Sequence, residues 1–106
     1  MFIAINYITC EESYRNRFEE LMKSRKKAVD TMPGFQRMEV LKPRNSEHDY
    51  LIISHWDSEN FFQQWRSSSE FSQGHRRGVQ DISKARKEGK KPPMTSTFKT
   101  YETLTE

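Results

Sequence analysis

His75 stands in the stretch FSQGHRRG, residues 71 to 78, behind Gly74 and ahead of Arg76 and Arg77. An imidazole beside two guanidiniums joins a nitrogen ligand to permanent positive charge, a pairing suited to an anionic group that carries a metal. Spacing argues against a self-contained metal centre. The chain has no H-x-x-x-H, no C-x-x-C and no paired carboxylates at a metal-binding helix spacing, and His48 and His55 fall on other predicted elements. One histidine suffices only where a cofactor supplies the other ligands, and haem does so with four pyrrole nitrogens. Its faces would take apolar walls such as Phe71 and Trp65, and its carboxylates would take Arg76, Arg77 and the lysines downstream. On the residues alone this stays open beside a plainer role for His75 as a structural or solvated side chain.

Two further residues stand out among apolar neighbours. Asn6 lies within FIAINYI, where an asparagine is unfavourable in mid-strand and, if buried, must find a hydrogen-bond partner. Trp65 ends the aromatic run FFQQW, where core packing is the ordinary role of such a ring.

The elements that must position these residues follow from periodicity. MFIAINYIT predicts a strand with Phe2, Ala4, Asn6 and Ile8 on one face and Ile3 and Ile5 on the other. A long helix is predicted from residue 11 or 12 to Met32, its inner stripe running through Tyr14, Phe18, Leu21, Arg25 and Val29 until Pro33 and Gly34 end it. FQRMEVLKP and DYLIISHW predict a hairpin joined through RNSEH. Asp57 or Ser58 caps a short helix bearing Phe61, Phe62 and Trp65, and SSS offers a new cap. A further turn puts Phe71 and His75 four apart on one face, weakened by Gly74. The basic stretch is expected to be helical through VQDISKARKE, and MTSTFKTYETL closes the order as a strand.

That order, β-α-β-β-α-β, predicts an α+β ferredoxin-like domain. Such a sheet carries helices on one face only, yet both faces of the first and third strands are apolar: Tyr50, Ile52 and Trp56 alternate with Leu51 and Ile53. A solvated face should be polar. A second copy of the chain is the expected cover, giving a homodimeric α/β barrel, and a monomer is expected only if the basic segment folds back over that face.

Composition bounds the remainder. The chain has 106 residues, 33% of them apolar, enough for one domain over residues 1–106. The net charge of +3 is concentrated in residues 75–91, where seven Lys and Arg face two acids. No regularly interleaved aromatics accompany that patch, so a nucleic-acid partner is not expected. No apolar run is long enough to cross a membrane. The lone Cys10 cannot form an internal disulfide, and the cytoplasm is the expected location.

The segments AINYI, PGFQRMEVLKP, YLIISHWDSENFFQQWRSSSEFSQGHRRG and STFKTYE together resemble the antibiotic-biosynthesis-monooxygenase (ABM) superfamily and, within it, the haem-degrading monooxygenases of the IsdG type. The resemblance runs from residue 2 to about 103 and thins across VQDISKARKEGKKPP. It implies a catalytic set of Asn6, Trp65 and His75, with haem as both substrate and oxygen-activating centre. His75 would ligate the haem iron, Asn6 would donate a hydrogen bond on the oxygen side, and Trp65 would press the ring out of plane. Dioxygen and an external electron donor, either a reductase or a small reductant, would be required, and ring opening would release iron. Two other activities fit the same residues. One is a cofactor-free monooxygenase of a polycyclic phenol or quinol, and the other is a haem-binding protein that leaves its ligand intact.

Overall fold

The structure is a computed structural model that describes residues 1–25 and 27–106. Strand β1 (Phe2–Cys10) leads through a 3₁₀ turn (Glu12–Tyr14) into helix α1 (Arg15–Lys23). A second 3₁₀ turn (Ala28–Thr31) precedes the hairpin of β2 (Phe35–Leu41) and β3 (Tyr50–Trp56). Helices α2 (Glu59–Arg66) and α3 (Ser69–Lys87) follow, and β4 (Met94–Glu102) closes the chain. The strands form one antiparallel sheet in the order β2-β3-β1-β4. This is the ferredoxin-like fold expected from the element order.

The long helix expected to reach Met32 is instead broken. Helix α1 stops at Lys23, and the expectation for Lys26 lies outside the described residues. The physical reason is local competition. The Ser24 hydroxyl donates back to the Glu20 carbonyl at 2.7 Å, a bond that competes with helix continuation. Arg77 then takes the exposed carbonyls of Leu21 and Ser24 at 3.3 and 3.2 Å, satisfying a helix end that would otherwise need more turns. The apolar stripe survives the break, because the 3₁₀ turn still buries Val29. The other correction concerns capping of α2. Ser58 holds the N-cap position without a side-chain hydrogen bond, while the Asp57 carboxylate accepts from Gln36.

Strand register divides the sheet cleanly. Phe2, Ala4, Asn6 and Ile8 oppose Trp56, Ser54, Ile52 and Tyr50, and all face the helices. Ile3, Ile5 and Tyr7 oppose His55, Ile53 and Leu51 on the other face, which no helix covers among the described residues. The turn that launches β2 needs its glycine. Gly34 has φ +75°, and a Cβ there would lie 2.3 Å from the Phe61 ring.

The buried side chains form two clusters. One joins Ala4, Val29, Trp56, Phe62 and Trp65, and the other joins Ile8, Tyr14, Phe18, Leu21 and Tyr50. Rings dominate the first: Trp56 lies 5.5 Å from Trp65 and 5.3 Å from Phe35, centroid to centroid.

Candidate functional site

A cavity of about 230 Å³ lies between the sheet and α3, with walls drawn from both core clusters. Asn6, Trp65, His75 and Arg77 all line it, so residues separated by up to 71 positions in sequence meet at one place. Phe71 and Arg76 do not line it. Phe71 stands behind His75, and Arg76 is exposed.

Each of the three central residues is held by its own element. Alternation along β1 turns Asn6 inward, where it is 7% exposed, and its Oδ1 has no hydrogen-bond partner among the described residues. Trp65 is fixed by the junction of α2 and α3. The Ser68 hydroxyl donates to the Trp65 carbonyl at 2.5 Å and accepts from the Phe71 N–H at 3.2 Å, capping α3. That cap brings Phe71 edge-on to Trp65 at 4.7 Å.

The four-residue spacing from Phe71 to His75 is realised on α3. The two rings stack at 4.0 Å with 25° between planes, and His75 Nδ1 lies 2.7 Å from the Phe71 carbonyl oxygen. A carbonyl only accepts, so Nδ1 carries the proton, and the neutral ring keeps its lone pair on Nε2. A backbone acceptor on one ring nitrogen is the arrangement that orients a histidine for ligation through the other.

Arg77 is partly committed. Besides the two α1 carbonyls, its Nη1 donates to the Ser24 hydroxyl at 3.1 Å. A second tie holds α3 further along, where Tyr14 Oη donates to Asp81 at 2.6 Å and Arg17 Nε donates to the same oxygen at 3.1 Å. Partial burial pushes the Asp81 carboxyl up, but the hydrogen bonds from Tyr14 and Arg17 outweigh it and hold it below its ordinary value. Polar ties matter here because no residue of α3 is fully buried.

Sequence reasoning missed Ser54 and Arg25 as cavity residues. Signals existed for both. Ser54 shares the inward parity of Tyr50, Ile52 and Trp56, and Arg25 is a cation on an otherwise apolar helical stripe. Cys10 does not line the cavity, and burial pushes its thiol up to about 11 against the pull of Arg15.

The arrangement offers one free imidazole nitrogen, one buried amide, an indole wall and cations at the rim of an apolar cavity. A family model described as "Antibiotic biosynthesis monooxygenase" matches residues 1–77. A "Heme oxygenase (mycobilin-producing)" of Mycobacterium tuberculosis, found in strains CDC 1551 and H37Rv, is 30% identical over 76 residues, covering 70% of this chain and 72% of that protein. The chain superposes on the heme-degrader MhuD from Mycobacterium tuberculosis, solved with two hemes bound in its active site. The TM-score is 0.71 and the identity 22%, over 100% of this chain and 98% of that one. It also superposes on SnoaB, a cofactor-independent oxygenase from Streptomyces nogalater, with TM-score 0.71 and 17% identity over 99% and 94% of the two chains.

Proposed function

Because this chain belongs to the antibiotic biosynthesis monooxygenase family, we propose that it is a haem-degrading monooxygenase that binds haem through His75 and opens the porphyrin ring with dioxygen and external electrons, releasing iron. One observation carries the reading. The Nδ1–H of His75 is spent on the Phe71 carbonyl, which leaves Nε2 as a ligand in the wall of a cavity that also contains the orphaned oxygen of Asn6.

The residues present fit the group. When bound, haem supplies the redox-active iron together with the carbon skeleton that is oxidised. His75 holds its position through the stack on Phe71 and the bond to the backbone. The Asn6 amide, fixed on β1, would offer a hydrogen bond to bound oxygen or substrate, and so would act on turnover more than on affinity. Trp65 offers a hard wall braced by Trp56 and Phe71, able to press on the ring without yielding. Arg25 and Arg77 put positive charge at the lining for the ring's carboxylates, and Arg76 adds to the field from outside. The proposal takes residues 1–106 as one such domain, since β4 pairs with β1 along its whole length. It also includes a homodimer, with a second copy covering Ile3, Ile5, Leu51 and Ile53 on the bare face of the sheet. Sedimentation equilibrium should then give twice 12.7 kDa.

The test is a spectrophotometric titration with haemin, followed by an electron donor under air and mass spectrometry of the pigment. We expect stoichiometric binding and an opened tetrapyrrole. His75→Ala should lose the iron–imidazole stretch in the reduced protein, whereas His48→Ala and His55→Ala should keep it. Trp65→Phe should bind haem and degrade it more slowly. A second reading, a cofactor-free monooxygenase of a polycyclic phenol or quinol, is favoured by the likeness to SnoaB and the largely apolar lining. Absence of haemin binding would select it, and binding without ring opening would leave a haem carrier.

A further inference from the structure

Three of the chain's four glycines have a reason inside the protein. Gly34 takes φ +75° against the Phe61 ring, and Gly89 takes φ +72° just past the C-cap of α3, where a left-handed residue ends a helix. Gly78 faces Met94, whose Cε would lie 3.2 Å from an added Cβ. Gly74 has no such reason. It lies inside the 19-residue helix α3, where glycine is among the worst helix formers, and a Cβ built on it meets nothing within 4 Å among the described residues. No neighbour excludes a side chain there, and the backbone does not demand its absence.

Gly74 is exposed on α3 and is one of the residues lining the cavity that Asn6, Trp65 and His75 also line. A second, independent feature of that cavity points to a ligand: the 7%-exposed Asn6 side chain, whose Oδ1 is buried without a partner. We propose that Gly74 is a ligand-contact and specificity-determining position, its bare Cα letting a broad flat ring lie against α3 beside the His75 ligand. This inference rests on the haem reading above and sharpens it. The glycine weakens the helix in order to widen the cavity at one point, and Gly78, one turn on, continues the same low surface. A methyl group at residue 74 would occupy the space the ring needs, while costing the unliganded protein nothing in contacts.

The two consequences have opposite signs, and that makes the proposal testable. Thermal unfolding of ligand-free Gly74→Ala should rise by about 4–8 °C, the shift expected for replacing a helical glycine in a domain of this size. Haemin affinity of the same variant should fall by at least about tenfold, and that of Gly74→Val further, because overpacking displaces the ring. Gln80→Ala, on the exposed side of α3, is the control for helix propensity and should leave affinity unchanged. Parental haemin affinity in Gly74→Ala, when the parent binds, overturns this inference alone. A lowered melting temperature in Gly74→Ala also overturns it, by revealing an internal role for the glycine. Failure of the parent to bind haemin overturns the functional reading and this inference with it.

Discussion

In the core cluster around Tyr14, Phe18 and Tyr50, both phenols find acceptors. Tyr14 donates to Asp81 at 2.6 Å and Tyr50 to Glu19 at 2.5 Å. On the aromatic side, the Trp56 indole N–H is buried with no partner among the described residues, and at the seam between the clusters so is Asn6 Oδ1. Satisfied groups tie elements together, and orphaned ones carry a desolvation cost that needs another explanation. For Trp56 that cost is set against the packing of a fully buried ring, and Trp56 does not line the cavity. Asn6 does line it, with no comparable packing gain. The contrast within the core is thus between Trp56, whose unpaired N–H accompanies full ring burial, and Asn6, whose unpaired oxygen belongs to a residue lining the cavity of the proposed site.

The largest test of this contrast is Trp56→Ala. Removing a ring with 0% exposure should cost about 3–5 kcal/mol in chemical denaturation, and haemin affinity should fall too, because Trp65 loses its brace. Tyr14→Phe comes next. Deleting the hydroxyl leaves the partly exposed Asp81 carboxylate to Arg17 alone and should cost about 0.5–1.5 kcal/mol, with a double-mutant cycle against Asp81→Asn showing the coupling.

Acid probes the same bonds more gently. The Glu19 carboxyl is lowered by the hydrogen bond from Tyr50 and then by that from Lys42, and Asp81 is lowered on balance by Tyr14 and Arg17. Folded values below the unfolded ones mean that this stability is complete above the ordinary carboxylate range, about pH 4. It is lost as pH falls through the lowered values. The Tyr14→Phe penalty measured at neutral pH should therefore shrink below about pH 4 in parallel denaturation curves. The smallest effect belongs to Asn6→Ala. Removing an orphaned group should leave the ligand-free fold within about 0.5 kcal/mol of the parent, while single-turnover loss of the Soret band slows sharply. A large loss of stability in Asn6→Ala would erase the contrast.

Much of the scaffold was legible because the signals are short-range. Two-residue alternation placed Asn6 on the same face of β1 as Phe2, Ala4 and Ile8, and the four-residue step from Phe71 to His75 predicted one helical face for both. The end of α1 was not legible. Its stripe continues through Arg25 and Val29, and only the Ser24 back-bond and the arrival of Arg77 from 53 residues away explain the break. Arg77 itself read as a free cation, whereas the fold gives three of its hydrogen bonds to α1.

The sequence by itself determined which residue types were available and which way each would face on its own element, since side-chain direction follows from strand and helix geometry. It therefore specified an asparagine on the same face as Phe2, Ala4 and Ile8, an aromatic ring one turn before a histidine, and a glycine next to that histidine. Tertiary structure alone decided that these face a common cavity and that Asn6 Oδ1 has no partner among the described residues. Those are statements about distance and satisfaction between segments far apart in the chain, and no local periodicity encodes them.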